Sequence, residues 1–259
     1  MAVAAWGYKE QLVEELLDAF DGRPARVLDL GCGTGRSLAD ALARHPNVLY
    51  TGVDQNAASM RQARATIGRY ENVTLRDGFG ETFGGDGFDL VMSLSVLEHV
   101  KRLRSFLATS VSLTKPGGRL VHRYDLGHAL APSTPGERLR VAVARRLPAV
   151  VPAARFTTYP DQRRIVDQLR ELGIDDIRIT QGQMPGLKGA MNHVDRGAPA
   201  SAELVKRIIE LERDLWQQIG STLYGAQRDR LFPTVTISGH RRATPGSLAR
   251  PGLTAAEPN

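Results

Sequence analysis

Short apolar runs alternate with amphipathic stretches along the chain. Leucine, valine and alanine at helical spacing between the runs predict helices, the first of them over 8–20. Because strands that alternate with helices favour a parallel sheet covered on both faces, this order predicts an α/β fold. The runs that predict the first five strands are 26–30, 48–54, 72–78, 88–93 and 119–125.

The second half of the chain continues the pattern with longer interruptions. A helix is predicted over 161–172, ended by Gly173, and it is followed by a sixth strand over 174–180. The alternation at 234–238 predicts the last strand. A further helix is expected over 202–219, with an inner stripe formed by Leu204, Ile208, Leu211, Leu215 and Ile219. We therefore predict a Rossmann-like, mostly parallel seven-stranded sheet with helices on both faces.

Composition places this sheet in one domain of a soluble protein. A chain of 259 residues with 42% hydrophobic content can bury a full core, and we predict a single domain over 1–242. The tail, 243–259, is rich in Pro, Gly and Ala and is expected to be disordered. The single cysteine, Cys32, excludes an internal disulfide, and no apolar run approaches the roughly 20 residues that cross a bilayer. A cytoplasmic location is expected.

Positive charge is concentrated in one part of the chain. The formal net charge is +6, and the stretch from Gly136 to Arg170 holds eight arginines against three acids, which is +5. Such a stretch is typical either of a solvated face or of a surface that binds an anionic partner.

Three glycines at alternate positions follow the first predicted strand. Gly31, Gly33 and Gly35 lack a Cβ, so the backbone can turn sharply there and approach a ligand closely. Asp29 lies two residues before the first glycine, where its carboxylate could meet an ammonium group. A dinucleotide fingerprint would need another glycine three residues after Gly33, and Arg36 stands there.

The run Asp-Leu-Gly-Cys-Gly-Thr-Gly over 29–35 resembles motif I of the class I S-adenosylmethionine-dependent methyltransferases. The resemblance extends to the Phe-Asp-Leu-Val-Met-Ser and Val-Leu-Glu-His-Val segments of 88–100 and to the Lys-Pro-Gly-Gly turn at 115–118. It implies S-adenosylmethionine as the cofactor, with its methionine end held by the glycine loop.

Two acids at the ends of the next strands complete the implied cofactor site. Asp54 ends the second strand 19 residues after Gly35, where a carboxylate can accept the ribose hydroxyls. In the family, an acid after the third strand meets the adenine amino group, which is the position of Asp77 and Gly78. The full predicted cofactor set is Asp29, Gly31, Cys32, Gly33, Asp54, Gln55, Asp77, Gly78, Phe79 and Ser93.

The candidates for catalysis follow the fourth and fifth strands. His99 is the first choice of general base, because imidazole titrates near neutral pH. Asp125 and His128 stand at the end of strand five and resemble an Asp-Leu-x-Asp-His segment of some sugar-modifying relatives, although Gly127 departs from it. His122, Asp125 and His128 have the chemistry of metal ligands, but no metal is predicted.

Two insertions set the expected acceptor. The core covers about 25–125, 156–182 and 233–240, and the insertions 126–155 and 183–232 are expected to form a lid. We therefore expect O-methylation of a small molecule that resembles a natural product or a sugar. The arginines could attract acidic groups on this acceptor. Neither a nucleic acid nor a membrane is expected as a partner. One alternative is methylation of RNA or protein through the basic stretch, although no Asn/Asp-Pro-Pro-Tyr/Phe motif follows strand four. The other is a non-catalytic cofactor-binding subunit.

Overall fold

In the computed structural model of the chain, the described residues are 7–78, 87–126, 161–187 and 201–243. The strands are β1 (Ala25–Leu30), β2 (Val48–Asp54), β3 (Val73–Asp77), β4 (Phe88–Leu94), β5 (Thr114–Asp125), β6 (Ile174–Gly182) and β7 (Thr234–Arg241). The helices are α1 (Tyr8–Asp18), α2 (Ala39–Arg44), α3 (Ala57–Thr66), α4 (Leu103–Leu113), α5 (Gln162–Glu171), α6 (Ser201–Ile219) and α7 (Gly225–Leu231), with a 3-10 turn over Leu97–His99.

The strands form one seven-stranded sheet in the order β3-β2-β1-β4-β5-β7-β6. The first five strands pair in parallel, and β7 pairs antiparallel with both β5 and β6. The predicted fold class is confirmed, including its mostly parallel character. The carboxyl ends of β1, β2, β3, β4, β5 and β6 consequently lie at one edge of the sheet, which is where ligands bind in such folds.

Each face of the sheet is covered by its own apolar cluster. One cluster contains Leu28, Leu120 and Tyr124 and is packed by α4 and α5. The other contains Val27, Met92 and Val121 and is packed by α1 and α2. Side chains alternate along a strand, so consecutive residues within β1, and likewise within β5, point to opposite faces of the sheet.

The ends of the helices follow the signals in the sequence. The Asn56 side chain accepts hydrogen bonds from the backbone N–H groups of Ala58 and Ser59 and so starts α3. Asp161 starts α5 in the same way, and Gly173 after it has a φ of +88°. The Lys-Pro-Gly-Gly turn lies inside the bounds of β5, where the register with β4 shifts between Phe88 and Leu90.

The buried stripe of α6 differs from the predicted one. Leu204 and Leu211 are 47% and 50% exposed, while Val205 and Ile209 are buried. The inner face is therefore rotated by about one residue, and it includes the buried carboxylate Glu212. The carboxylate is accommodated because the backbone N–H groups of Gln183 and Met184 donate to it, at 3.0 and 2.8 Å.

Several predictions lie wholly or partly outside the described residues. These are the cofactor residue Phe79, the catalytic candidate His128, nearly all of the insertion 126–155 with its arginines, the part of the insertion 183–232 between residues 187 and 201, and the tail after residue 243. Among the described residues, no helix is both long enough and apolar enough to cross a bilayer.

Candidate functional site

The glycine turn after β1 has three positive φ angles, and its glycines meet different surroundings. A Cβ on Gly31 would lie 2.4 Å from Val96 Cγ2, and one on Gly35 would lie 2.8 Å from Ile67 Cδ1. Gly33 has a φ of +59°, and no atom of the described residues lies within 4 Å of the corresponding position. Gly31 and Gly35 are therefore required by packing within the protein, whereas Gly33 leaves its backbone open to a ligand.

Asp29 lies beneath this turn with one oxygen satisfied and one not. Its side chain is 2% exposed, and the Tyr50 hydroxyl donates to Oδ2 at 3.0 Å. Oδ1 is buried and has no hydrogen-bond partner among the described residues. Burial raises the pKa of Asp29 to about 7. A ligand ammonium at Oδ1 would supply both the missing donor and the compensating charge, so this carboxylate fits the methionine end of S-adenosylmethionine.

Asp54 joins the end of β2 to the glycine turn. Its Oδ2 accepts from the backbone N–H of Gly33 at 2.9 Å, and its Oδ1 accepts from that of Asn56 at 2.8 Å. A carboxylate has about four acceptor sites, so two remain for a pair of ribose hydroxyls. Gln55 follows and is exposed. The same side chain thus fixes the loop and offers acceptors at the ligand edge.

Asp77 and Gly78 lie beside Asp54, at the end of β3. Asp54 and Asp77 are register partners, and the backbone N–H of Gly78 donates to the Asp54 carbonyl at 2.9 Å. The Asp77 carboxylate is largely exposed and accepts from Arg64 Nη2 at 2.6 Å. An adenine amino group would therefore share Asp77 with an arginine.

Cys32 and Ser93 are placed differently from the acids. Cys32 is half-buried with its Sγ 3.9 Å from Met60 Sδ, and burial raises the pKa of its thiol, so it is no thiolate at neutral pH. Ser93 is completely buried, and its Oγ lies 2.8 Å from His122 Nδ1. The Ser93 hydroxyl is therefore occupied within the core and presents no surface to a ligand.

The two polar residues of the Leu-Glu-His-Val segment differ in burial within the 3-10 turn after β4. His99 is exposed, whereas Glu98 is 3% exposed and its Oε2 has no hydrogen-bond partner among the described residues. Burial raises the pKa of Glu98 to about 7. Asp125 is half-buried at the end of β5. The roles of His99 and Asp125 in catalysis stay predictions.

His122 is sealed inside the sheet. It is completely buried, and its ring centroid lies 5.8 Å from that of Phe106. Burial lowers its pKa to about 3, so the imidazole is neutral and a weak base at working pH. Because Nδ1 lies against the Ser93 hydroxyl, the ring belongs to the core.

Sequence reasoning missed two cations near this edge, Lys9 at the start of α1 and Arg123 on β5. It also treated Glu98 only as the neighbour of His99. Arg123 is 5% exposed, and Lys9 is close enough for its charge to favour ionised Asp29 and Glu98. The signal that could have found Arg123 is a charged residue inside the apolar alternation of the fifth strand.

Comparison with known proteins agrees with the geometry. Residues 28–120 match the family model described as a methyltransferase domain. Over 96 residues the chain is 35% identical to a demethylmenaquinone methyltransferase of Tropheryma whipplei, covering 37% of this chain and 39% of that protein. It is 34% identical over 113 residues to a ubiquinone biosynthesis O-methyltransferase of Alkalilimnicola ehrlichii, covering 42% and 44%. The chain thus spans about two fifths of the length of these relatives.

A solved structure extends the likeness over most of the fold. Phosphoethanolamine N-methyltransferase 2 of Haemonchus contortus, in complex with phosphomonomethylethanolamine and S-adenosylhomocysteine, superposes with a TM-score of 0.57 at 16% identity. The match covers 85% of this chain and 49% of that one, and at this identity it concerns the fold alone. Residues 28–120 are therefore similar to a methyltransferase domain, and they extend from the first to the fifth strand of the seven-stranded sheet.

Proposed function

We propose that the protein transfers a methyl group from S-adenosylmethionine to an oxygen of a small-molecule acceptor. The observation that carries this proposal is the unpartnered, buried Oδ1 of Asp29, at the same edge as the open backbone of Gly33 and the Asp54 carboxylate. Asp29 offers an acceptor for the ammonium group, Gly33 a backbone that a ligand can approach closely, and Asp54 an acceptor for the ribose diol. These groups would follow one another along a bound cofactor from its methionine end to its ribose.

The residues divide the cofactor between them. Asp29 and the turn over Gly31–Gly33 would hold the methionine end, Asp54 the ribose, and Asp77 with Gly78 the adenine. The exposed Gln55 and the half-buried Cys32 flank this path, and Phe79 is proposed as a further contact. When bound, the cofactor supplies a methyl group on a sulfonium. The task of the protein is to hold donor and acceptor in line and to exclude water.

The placement of α6 supports a small acceptor. Its Glu212 carboxylate binds the backbone immediately after β6, and its Val205 and Ile209 pack with Tyr8 of α1. Since β6 ends at the ligand-binding edge, we propose that α6 forms a wall of the acceptor site. The relative named for ubiquinone biosynthesis is an O-methyltransferase, which supports oxygen as the acceptor atom.

An acceptor hydroxyl must lose a proton during the transfer. His99, Asp125 and His128 are the proposed groups for that step, because in the sequence they stand at or soon after the ends of β4 and β5. His122 is a poor base, since it is sealed in the core with a pKa of about 3. Buried Glu98, with a pKa of about 7, has the proton affinity that suits a general base at neutral pH.

Calorimetric titration with S-adenosylhomocysteine tests the proposal. Asp54→Ala removes two charge-assisted acceptors and also frees the Gly33 N–H, so we expect it to weaken binding by about 2–4 kcal/mol. Asp40→Ala, at an exposed acid on α2, is the matched control and should bind like the wild type. Unchanged affinity in Asp54→Ala, or a preference for NAD, would contradict the cofactor site. Tight RNA binding that fades between about 50 and 200 mM salt would contradict the small-molecule acceptor.

A further inference from the structure

Arg123 is a buried cation at the carboxyl edge of the sheet, on the face that carries Asp29. Asp29 pairs in register with Met92, and Met92 pairs with Val121, so Arg123 lies one side-chain row nearer the ligand edge. Arg123 is 5% exposed, and its Nη1 is buried without a hydrogen-bond partner among the described residues. A guanidinium remains charged, so this donor lacks the acceptor that its burial requires.

Three carboxylates act on Arg123 through their charge, and Asp125 acts most strongly of the three. The other two also accept hydrogen bonds from backbone: Glu212 from the N–H groups of Gln183 and Met184, and Glu10 from that of Gly7 at 2.7 Å. Beside the guanidinium stands the ring of Tyr8, with its centroid 6.0 Å from Arg123 Cζ. The surroundings therefore partly compensate the charge of Arg123 but provide no hydrogen-bond acceptor for its Nη1 among the described residues.

Lys9 brings a second cation to the same place. It begins the first turn of α1 next to Tyr8, and both its burial and the charge of Arg123 lower its pKa. The two nearby acids, Asp29 and Glu98, are themselves pushed towards their neutral forms by burial. Because burial disfavours the charge of both cations, an anion placed between them would be stabilised.

We propose that Arg123 and Lys9 form a carboxylate-binding subsite next to the methyl-transfer site. This inference rests on the proposed function and names a chemical group that the site recognises. One open guanidinium donor and one ammonium match a single negative charge better than a phosphate dianion, which needs more donors. The carboxylate has two possible sources. It is either that of the cofactor's own methionine, adjacent to the ammonium at Asp29, or one carried by the acceptor.

The test compares Arg123→Met with Arg119→Met, which removes an arginine from the same face at the other end of β5. Calorimetry on the full chain measures binding of S-adenosylhomocysteine and of its decarboxylated analogue. A second series measures succinate and benzoate binding to the complex with saturating S-adenosylhomocysteine. Lys9→Met and Arg123→Lys are examined alongside, so that a folding defect in one variant does not remove the comparison.

Two results support the subsite and identify its source. At least a tenfold loss of S-adenosylhomocysteine affinity in Arg123→Met, with the decarboxylated analogue unaffected, assigns the subsite to the cofactor. Unchanged cofactor affinity with at least a tenfold loss for succinate or benzoate assigns it to the acceptor. In either case Lys9→Met should show a smaller loss in the same series, and Arg119→Met should behave as the wild type.

Thermal unfolding without ligand separates a binding role from a structural one. Removing a buried charge that lacks a partner should leave the Tm of Arg123→Met equal to or above that of the wild type. A lower Tm of Arg123→Met with unchanged affinity in both series would overturn the subsite. It would also be overturned if the wild type bound S-adenosylhomocysteine but neither succinate nor benzoate, and Arg123→Met bound S-adenosylhomocysteine as tightly as the wild type. Wild-type protein that fails to bind S-adenosylhomocysteine at all would instead overturn the proposed function.

Discussion

Two adjacent residues of β5 place a neutral and a charged buried side chain on opposite faces of the sheet. His122 points to the face packed by α4, where Ser93 bonds one of its nitrogens and burial holds the ring neutral. Arg123 points to the face packed by α1, near Asp29. Among the described residues, Arg123, Asp29 and His122 each keep one buried polar atom without a hydrogen-bond partner.

The difference between the two positions is one of charge and of place in the sheet. His122 meets the low polarity of the core by giving up its charge, so its remaining cost is that of one unpaired neutral nitrogen, Nε2. Asp29 and Arg123 sit at the ligand edge with unmet hydrogen-bonding capacity, which costs stability until a ligand is bound. Burial favours the neutral form of both Asp29 and His122, so the acid and the base should respond oppositely to pH, and only the groups at the ligand edge should respond to ligand.

The largest expected effect concerns Asp29. Its folded pKa of about 7 lies above the value of 3.8 for a free carboxyl group, so its contribution to stability is complete below pH 3.8 and is lost as the pH rises through 7. Between pH 4 and pH 8 we expect the wild type to lose about 4 kcal/mol more unfolding free energy than Asp29→Asn, by urea denaturation. Asp40→Asn, which replaces an exposed acid, should show the same pH dependence of unfolding free energy as the wild type. If Asp29→Asn also showed that pH dependence, the buried carboxylate would not contribute as described.

His122 should show the opposite sign. Its folded pKa of about 3 lies below the value of 6.5 for free imidazole, so its contribution is complete above pH 6.5 and is lost as the pH falls through 3. Between pH 7 and pH 4 the wild type should lose about 3 kcal/mol more than His122→Gln, measured in the same way. His240→Gln replaces an exposed histidine of β7 and serves as the control. Equal acid sensitivity in all three proteins would show that His122 is not buried as described.

The smallest effect distinguishes two glycines of the same turn. Gly33→Ala meets no neighbour and should cost only about 1–2 kcal/mol for the left-handed backbone, yet it should weaken S-adenosylhomocysteine binding because the new methyl group enters the ligand's space. Gly35→Ala must also displace Ile67, so its loss of stability should be the larger of the two. Thermal unfolding and calorimetry on both variants check this order, and a Gly33→Ala variant with normal affinity would place the ligand elsewhere.

Most of the fold could be predicted because its signals are local. The apolar runs, the cap at Asn56 and the turn at Gly173 each depend on residues close in sequence, and each was placed within a few positions. The inner stripe of α6 was predicted only in part, with Leu204 and Leu211 wrong, and for a physical reason. A pattern of apolar residues cannot show that Glu212 is buried, because its burial depends on backbone donors about 30 positions away.

The cofactor acids could be predicted for a similar reason, since each ends a strand and parallel strands end at one edge. Lys9 and Arg123 could not, because they meet only through the packing of α1 on the sheet. Nor does the sequence show which of two adjacent residues faces inward. Glu98 is buried and His99 is exposed in the 3-10 turn that follows β4, and the apolar pattern alone does not show where that turn begins.

The position of β7 has a consequence for how the chain folds. The interior place between β5 and β6 is filled by Thr234–Arg241, so Arg119 pairs with His240 and Ile174 pairs with Arg241. During synthesis the outer side of β5 remains an open edge, with unpaired backbone donors and acceptors, long after the five parallel strands have emerged. β6 likewise has no neighbour to join until residues 234–241 leave the ribosome. The nascent chain must keep this edge from pairing wrongly until its last strand arrives.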